Sequence, residues 1–284
     1  MPMNQEFLDL IRCPACMGRF SGCMPLRCSG CSRIFPLESG IPDLLDGRPS
    51  GIPFFDAHAP AYDRPRSSAP PYQKALETIR ATLLSGFAEN ADVADLGCGT
   101  GRHLETISGV ARLRLGVDFS APMLLEAAKN APEAYFLRGN LEALPLSDAS
   151  FDLACSFSTL YHVASPERAL SEIGRILRPG GKALLELGNR RSLNHRLTMR
   201  EKAPVSHLLP AEMRRLLKKA ALTIRKIRFF QVLPMRAGIP DPRAARWLTH
   251  KMAGVMLEEW LSSLPVLRSF AFRHLIICEK ERNP

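Results

Sequence analysis

The chain has no apolar run approaching the roughly 20 residues that a bilayer-spanning helix needs. Its start, Met1-Pro2-Met3-Asn4-Gln5-Glu6, lacks the basic and apolar regions of a secretory signal. These absences exclude a helical membrane protein and lead to the expectation of a cytoplasmic one. A disulfide framework is missing too. Of eight cysteines, Cys13, Cys16, Cys28 and Cys31 fall as two CxxC pairs, whereas Cys98, Cys155 and Cys278 stand in strand or turn contexts as small buried hydrophobes. Cys23 reads as a free thiol in the loop between the pairs. There is no GxGxxG dinucleotide fingerprint. Acid is scarce in one stretch: Arg190 to Arg228 holds twelve Lys or Arg against two Asp or Glu, an excess of +10 that equals the net charge of the whole chain.

What is present fits one main domain with a small appendage, because 284 residues, 46% of them hydrophobic, exceed the usual single domain. The CxxC pairs have zinc-ribbon spacing. Each places two thiolates on a tight knuckle, with Gly18 and Gly30 supplying backbone freedom, and a redox pair is the lesser alternative. Forty residues cannot build a sufficient core unaided, so a structural metal held by Cys13, Cys16, Cys28 and Cys31 would supply the missing stability. From Asp46 to Pro71 the composition shifts to Gly, Pro, Ser and Arg, the signature of a linker. The expected parse is 1–46 ribbon, 47–71 linker and covering segment, and 72–284 main domain with a basic lid at 190–228; the plainer reading of Pro210 to Leu222 is a solvated helix with Arg214, Arg215, Lys218 and Lys219 together and Met213, Leu216, Leu217 and Ala220 facing inward.

The main domain alternates helix-like and strand-like stretches, the pattern of a doubly wound α/β sheet. Helices are expected over Tyr72–Leu84, Gly101–Ser108, Glu167–Leu177 and Arg243–Ser262. Strands are expected over Val93–Leu96, Leu113–Val117, Ala134–Leu137, Leu153–Phe157, Ala183–Leu187 and Phe270–Glu279. Within this pattern lies Val93-Ala94-Asp95-Leu96-Gly97-Cys98-Gly99-Thr100-Gly101, and Asp118 follows seventeen residues later at the end of the next strand. Glycines after a strand admit a ligand against the backbone, and a carboxylate at that distance can accept hydrogen bonds from ribose hydroxyls. A nucleoside cofactor is implied.

The GCGTG spacing, with Asp95 two residues ahead of it, resembles the class I S-adenosylmethionine (SAM)-dependent methyltransferases. The resemblance continues through Gly116-Val117-Asp118-Phe119-Ser120, Gly139-Asn140-Leu141-Glu142-Ala143-Leu144-Pro145-Leu146, Ser150-Phe151-Asp152-Leu153 and Leu177-Arg178-Pro179-Gly180-Gly181-Lys182, covering roughly residues 90 to 190. It implies a Rossmann-like sheet of seven strands whose last is antiparallel, and it implies roles. Gly97, Cys98, Gly99, Thr100 and Gly101 would cradle the cofactor, and Asp95 would hold its amino group. Asp118 would grip the ribose, while Phe119 and Met123 would pack on the adenine. Asn140 stands where the family commonly has Asp, yet keeps an acceptor oxygen for the adenine N6. The Leu141 N–H would meet an adenine ring nitrogen, Phe157 and Ser158 would line the sulfur end, and Tyr62 would cover the methionine end. The first 45 residues, with their Ile41-Pro42-Asp43-Leu44-Leu45 ending, resemble the small zinc-ribbon proteins that activate methyltransferases, which implies a fused partner module with structural zinc.

The implied reaction is in-line displacement on a sulfonium-activated methyl group, which requires alignment and water exclusion but no protein nucleophile. For a hydroxyl or acidic-carbon acceptor, His162 is the best-placed base; His195 and His207 rank lower. Similarity of the core to quinone-biosynthesis and natural-product methyltransferases, with the apolar stretch Phe229-Phe230-Gln231-Val232-Leu233-Pro234-Met235, favours a small-molecule or lipid-like acceptor. The ribbon and the basic segment favour RNA as the alternative, but there is no Asn-Pro-Pro-Tyr type motif or recognisable RNA-binding module. A SAM-binding adaptor without turnover is the third reading, disfavoured because every motif glycine and acid is present.

Overall fold

A computed structural model describes residues 3–23, 25–45, 52–59, 62, 71–192, 194–195, 206–232 and 252–282. At the N-terminus, Asn4 caps helix α1 (Gln5–Leu10) by accepting the Phe7 N–H through its side chain. Strands β1 (Phe20–Cys23), β2 (Leu26–Cys28) and β3 (Ile34–Phe35) form an antiparallel sheet, and β4 (Leu37–Glu38) pairs with β5 (Ile41–Pro42). The side chain of Cys23 lies outside the described residues.

Strands this short enclose little apolar surface of their own. Phe7, Leu10, Ile11, Leu26 and Leu44 instead share one continuous core with Leu115, Val117, Leu137 and Leu146 of the main domain. The Phe7 ring stacks on Tyr135 with centroids 4.8 Å apart. Backbone bonds add register: Arg12 N–H donates to the Pro145 carbonyl (2.8 Å), and Leu44 N–H to the Arg138 carbonyl (2.9 Å). The cysteine-bearing segment is therefore seated on the main domain along a shared core. Of the expected linker, only helix α2 (Ile52–His58), Ala59 and Tyr62, together with Pro71 at the start of the next helix, are described.

The main sheet has seven strands: β6 (Asp92–Leu96), β7 (Leu113–Asp118), β8 (Tyr135–Arg138), β9 (Phe151–Ser156), β10 (Leu177–Gly188), β11 (Leu222–Phe230) and β12 (Arg273–Lys280). Their order is β11-β12-β10-β9-β6-β7-β8. Only β12 runs antiparallel to its neighbours, as expected for the class I methyltransferase fold. Its central strands are buried on both faces, so they read as unbroken apolar runs. Leu184 and Leu185 of β10 point to opposite sides and enter two different cores. One core holds α3 (Pro71–Ala88), α4 (Arg102–Thr106) and α5 (Ala121–Asn130); the other holds α6 (Pro166–Ile176), α7 (Pro210–Lys219) and the cysteine segment. Helix α8 (Met252–Ser263) and a 3-10 turn (Leu267–Phe270) lead into β12. Residues 243–251 of the expected Arg243–Ser262 helix lie outside the described set.

Within the basic segment, the structure shows the solvated helix of the plainer reading and, after it, a strand. Arg214, Arg215, Lys218 and Lys219 lie on α7, whose Met213, Leu216 and Leu217 enter the core, and Arg225, Lys226 and Arg228 lie on β11, an edge strand. Apolar residues alternating with charge fit a half-buried edge whose open side is guarded by cations. Phe229 and Phe230, expected in an apolar lid, end this strand. A lid reading is left with 190–209, of which 193 and 196–205 lie outside the described residues.

Candidate active site

The turn after β6 carries Gly97, Gly99 and Gly101 in the left-handed region, with φ of 80°, 52° and 76°. A Cβ on Gly97 would stand 2.2 Å from the Thr159 side chain, so only glycine fits. A Cβ on Gly99 would meet nothing within 4 Å and would project into open space. At the end of β7, Asp118 accepts the Gly99 N–H on one oxygen and the Ser120 N–H on the other, both at 2.9 Å. Burial raises its pKa to about 6, with the nearby Asp95 charge adding to the rise and the backbone donors opposing it.

Asp95 is 1% exposed, and neither of its carboxylate oxygens has a hydrogen-bond partner among the described residues. The nearest cation is His103, whose Nδ1 lies 3.7 Å away and whose Nε2 is 3.7 Å from Glu77. Burial works against protonation of His103, but these two carboxylates win and raise its pKa. Glu77 also pairs with Arg80 (2.9 Å) and Arg102 (3.2 Å). Against its own burial, His103, Arg80 and Arg102 hold it well below the usual carboxylate range. Deeper still, Glu186 in β10 is 0% exposed and gripped by Arg80 and Arg273, which keep it ionised against the cost of burial. Ser158 Oγ accepts from both arginines, at 2.9 and 3.1 Å.

Tyr62, Gly97, Cys98, Gly99, Thr100, Asp118, Phe119, Met123, Phe157 and Ser158 line one cleft at the carboxyl ends of the strands, together with His162. Asp95, Gly101, Asn140 and Leu141 do not line it. Asn140 accepts the Glu142 N–H (2.9 Å) through its side chain, and Leu141 is buried. Phe55 of α2 closes the cleft, its ring packing edge-on against Phe119 (5.5 Å) and His162 (5.3 Å), and about 70 Å³ is left open. His195 and His207 lie with their Nδ1 atoms 2.7 Å apart and are not among the cleft residues. Sequence reasoning missed Arg80, Arg102, His103 and Thr159 in this wall, and from the covering segment it singled out Tyr62 but not Phe55. Arg80 had a legible signal, since it interrupts the buried stripe Leu76, Leu84, Ala88 of α3 at four-residue spacing. So did Glu186, a lone carboxylate inside a buried apolar strand.

The four cysteines form a second centre. Their sulfurs all lie within 4.8 Å of one another, with Cys13 and Cys31 3.6 Å apart and Cys16 and Cys28 3.5 Å apart. A tetrahedral zinc at ~2.3 Å from each sulfur requires edges of about 3.8 Å, so the set fits that ion. Cys28 Sγ accepts the Gly30 and Cys31 N–H groups at 3.3 and 3.4 Å. Burial opposes ionisation of this thiol, but those donors and the neighbouring thiols bring it down to about 6.

Residues 94–185 match the methyltransferase domain family. The sheet that this segment contributes to has the class I methyltransferase fold. A demethylmenaquinone methyltransferase of Renibacterium salmoninarum is 31% identical over 142 residues, which cover 50% of this chain and 60% of that protein. The malonyl-[acyl-carrier protein] O-methyltransferase of Buchnera aphidicola is 35% identical over 92 residues, 32% of this chain and 37% of that protein. The chain thus spans less than two thirds of either relative. In fold, it resembles one chain of a complex between the Haloferax volcanii Trm112 methyltransferase activator and a methyltransferase. The TM-score there is 0.61 at 22% identity, covering 83% of this chain and 99% of that one.

Proposed function

We propose that the protein transfers a methyl group from SAM to a small-molecule or lipid-like acceptor. The observation that carries this reading is the pair of strand-end carboxylates, Asp118 held by two backbone donors and Asp95 buried with no hydrogen-bond partner among the described residues, beside a glycine turn open to the cleft. Orphaned buried oxygens are costly, and an ammonium group would satisfy those of Asp95. SAM, when bound, supplies a methyl group activated by its sulfonium.

The chain's own residues then bind and orient. Asp118 accepts from ribose hydroxyls through its remaining lone pairs, and Asp95 holds the amino group with His103 beside it. Phe119 and Met123 pack on the adenine, whereas Asn140 and Leu141, expected at its edge, lie outside the cleft lining. Arg80 and Arg102 supply positive charge for the carboxylate end. Phe157 and Ser158 line the sulfur end, and Tyr62 covers it. His162 takes the acceptor's proton where one must leave. Because ligand pockets typically need ~300 Å³ or more, the Phe55 ring must withdraw from its place between Phe119 and His162 as the cleft fills.

Cys13, Cys16, Cys28 and Cys31 would hold zinc structurally, since four thiolates leave no open position for a reacting group. The cysteine segment acts as a built-in partner covering the β8 side of the sheet.

Methyl transfer from labelled SAM, with organic-soluble, polar small-molecule and RNA pools offered separately, tests the function. Label in an organic-soluble or small-molecule pool is expected. Label in RNA that falls steeply with salt would replace this reading with the RNA one. No label anywhere despite tight SAM binding would leave an adaptor.

A further inference from the structure

A second cavity, of about 280 Å³, lies on the α7 face of the sheet edge, away from the cofactor cleft. Its floor is apolar, made by Ile224, Ile227 and Phe229 of β11 and Ile276 of β12. Arg191, Arg214 and Arg268 line it, and no acidic residue does. These arginines come from three separate parts of the chain: the segment after β10, helix α7 and the 3-10 turn before β12.

Several other arginines are paired with carboxylates. Arg190 meets Glu212, Arg225 meets Glu279 and Arg175 meets Asp148 and Glu172. None of the three cavity arginines has a carboxylate partner among the described residues. Two are instead held by aromatic faces: the Arg268 guanidinium carbon lies 5.5 Å from the Phe229 ring centre, and that of Arg191 lies 5.3 Å from Phe270. Such stacking orders a guanidinium while leaving its N–H edges free for an oxyanion. The positive field is felt within the wall, where burial and then the Arg214 charge lower the His274 pKa to about 4. His274 is therefore a neutral part of the lining at physiological pH.

A third cavity, of about 430 Å³, shares Ile227, Phe229 and Arg268 with this one and continues along Ala75, Leu76 and Ile79 of α3, and it is also lined by Glu258, Glu259, Ser262 and Ser263 of α8. Arginines gather at one end, while the other offers Leu76, Ile79 and Phe230 beside Glu258 and Glu259, which repel an anion; a charged head therefore belongs at the arginines and an apolar chain along the aliphatic residues. We propose that this cavity pair binds an anionic amphiphile, with the phosphate or carboxylate head at Arg191, Arg214 and Arg268 and the chain over Ile227 and Phe229 toward α3. The site needs neither the cofactor nor methyl transfer.

Calorimetric titration of the full chain with monomeric dodecyl phosphate, below its micelle concentration, tests this directly. Binding should weaken about tenfold or more in the Arg214→Gln/Arg268→Gln variant, as expected for lost charged hydrogen bonds, while melting temperature and SAM affinity stay at the wild-type values. Equal binding of inorganic phosphate would remove the chain from the argument, equal binding of dodecyl maltoside would remove the head, and an unchanged double variant would remove the arginines; each overturns the proposal. Vesicles containing phosphatidylglycerol identify the source: co-sedimentation that the double variant loses assigns the head to a membrane lipid, whereas binding of the monomer without the vesicles assigns it to a soluble amphiphile.

Discussion

The cysteine segment and the cofactor cleft solve the same problem, holding like groups close together, in opposite ways. Around the cleft, buried charges are compensated from within the fold, Glu186 by Arg80 and Arg273 and Glu77 by Arg80, Arg102 and His103. In the cysteine segment, four sulfurs converge with no protein cation paired to them among the described residues, and strands of two to four residues surround them. One region is complete without anything added except at Asp95. The other is complete only with a divalent ion and a borrowed core. Destabilising the first should therefore affect binding, and destabilising the second should affect folding.

The largest effect that can break this comparison is metal loss. Cys16→Ser, at an exposed ligand position, should abolish stoichiometric zinc and forfeit much of the ~10 kcal/mol or more that structural zinc contributes to such small units. Metal analysis and thermal melting check this; a zinc-free wild type melting like the variant would show that the thiols need no ion. Next is Phe7→Ala, which removes the ring stacked on Tyr135 and should cost about 3–5 kcal/mol in urea unfolding. A much smaller loss would show that the segment is not held by the shared core.

Smaller effects sharpen the other side. Asp118→Ala should weaken SAM by about 1.5–3 kcal/mol, roughly 10- to 150-fold, with a smaller effect on the melting temperature, because it removes a charge that burial disfavours together with the acceptor of two backbone N–H groups. Parallel calorimetry and melting separate the two. The smallest concerns pH. The folded pKa of Asp118 is about 6, above its ordinary value of 3.8. Folding thus favours its protonated form, and its contribution to stability grows as pH falls from 6 toward 3.8. Ribose hydroxyls require the ionised form, so SAM affinity should decline below pH 6, up to about tenfold per unit. A flat profile in Asp118→Asn would assign the decline to this carboxylate.

Much of the fold was legible because the main sheet is built from short apolar strands punctuated by glycine turns, and the order of those turns is specific. The closing strand and helices shifted only at their ends; the helix after the glycine turn, expected over Gly101–Ser108, spans Arg102–Thr106. β11 was obscured because charge density in the basic segment outweighed its two-residue alternation, which drew attention to a lid where there is an edge strand. The carboxylate positions could be read from the motif, since their place at strand ends is set locally. The ion network behind them could not, because Arg80, Glu186 and Arg273 are brought together from 106 and 87 residues apart in sequence. Phe55 was obscured for the same reason: its position depends on the Asp56 carboxylate accepting the Ser120 hydroxyl (2.6 Å), a contact across 64 residues.

The two ends of the seven-stranded sheet are finished differently. At β11, Arg225, Lys226 and Arg228 interrupt the open row of backbone groups with like charge, so two such edges repel. At β8, the guard is the neighbouring segment itself, with Asp43 bridging in parallel to Arg138 and pairing with its guanidinium at 2.8 Å. If the cysteine segment detaches, the short apolar strand Tyr135-Phe136-Leu137 faces water with its hydrogen bonds unmade. Loss of the metal would then show first as self-association of otherwise intact methyltransferase domains, pairing edge to edge.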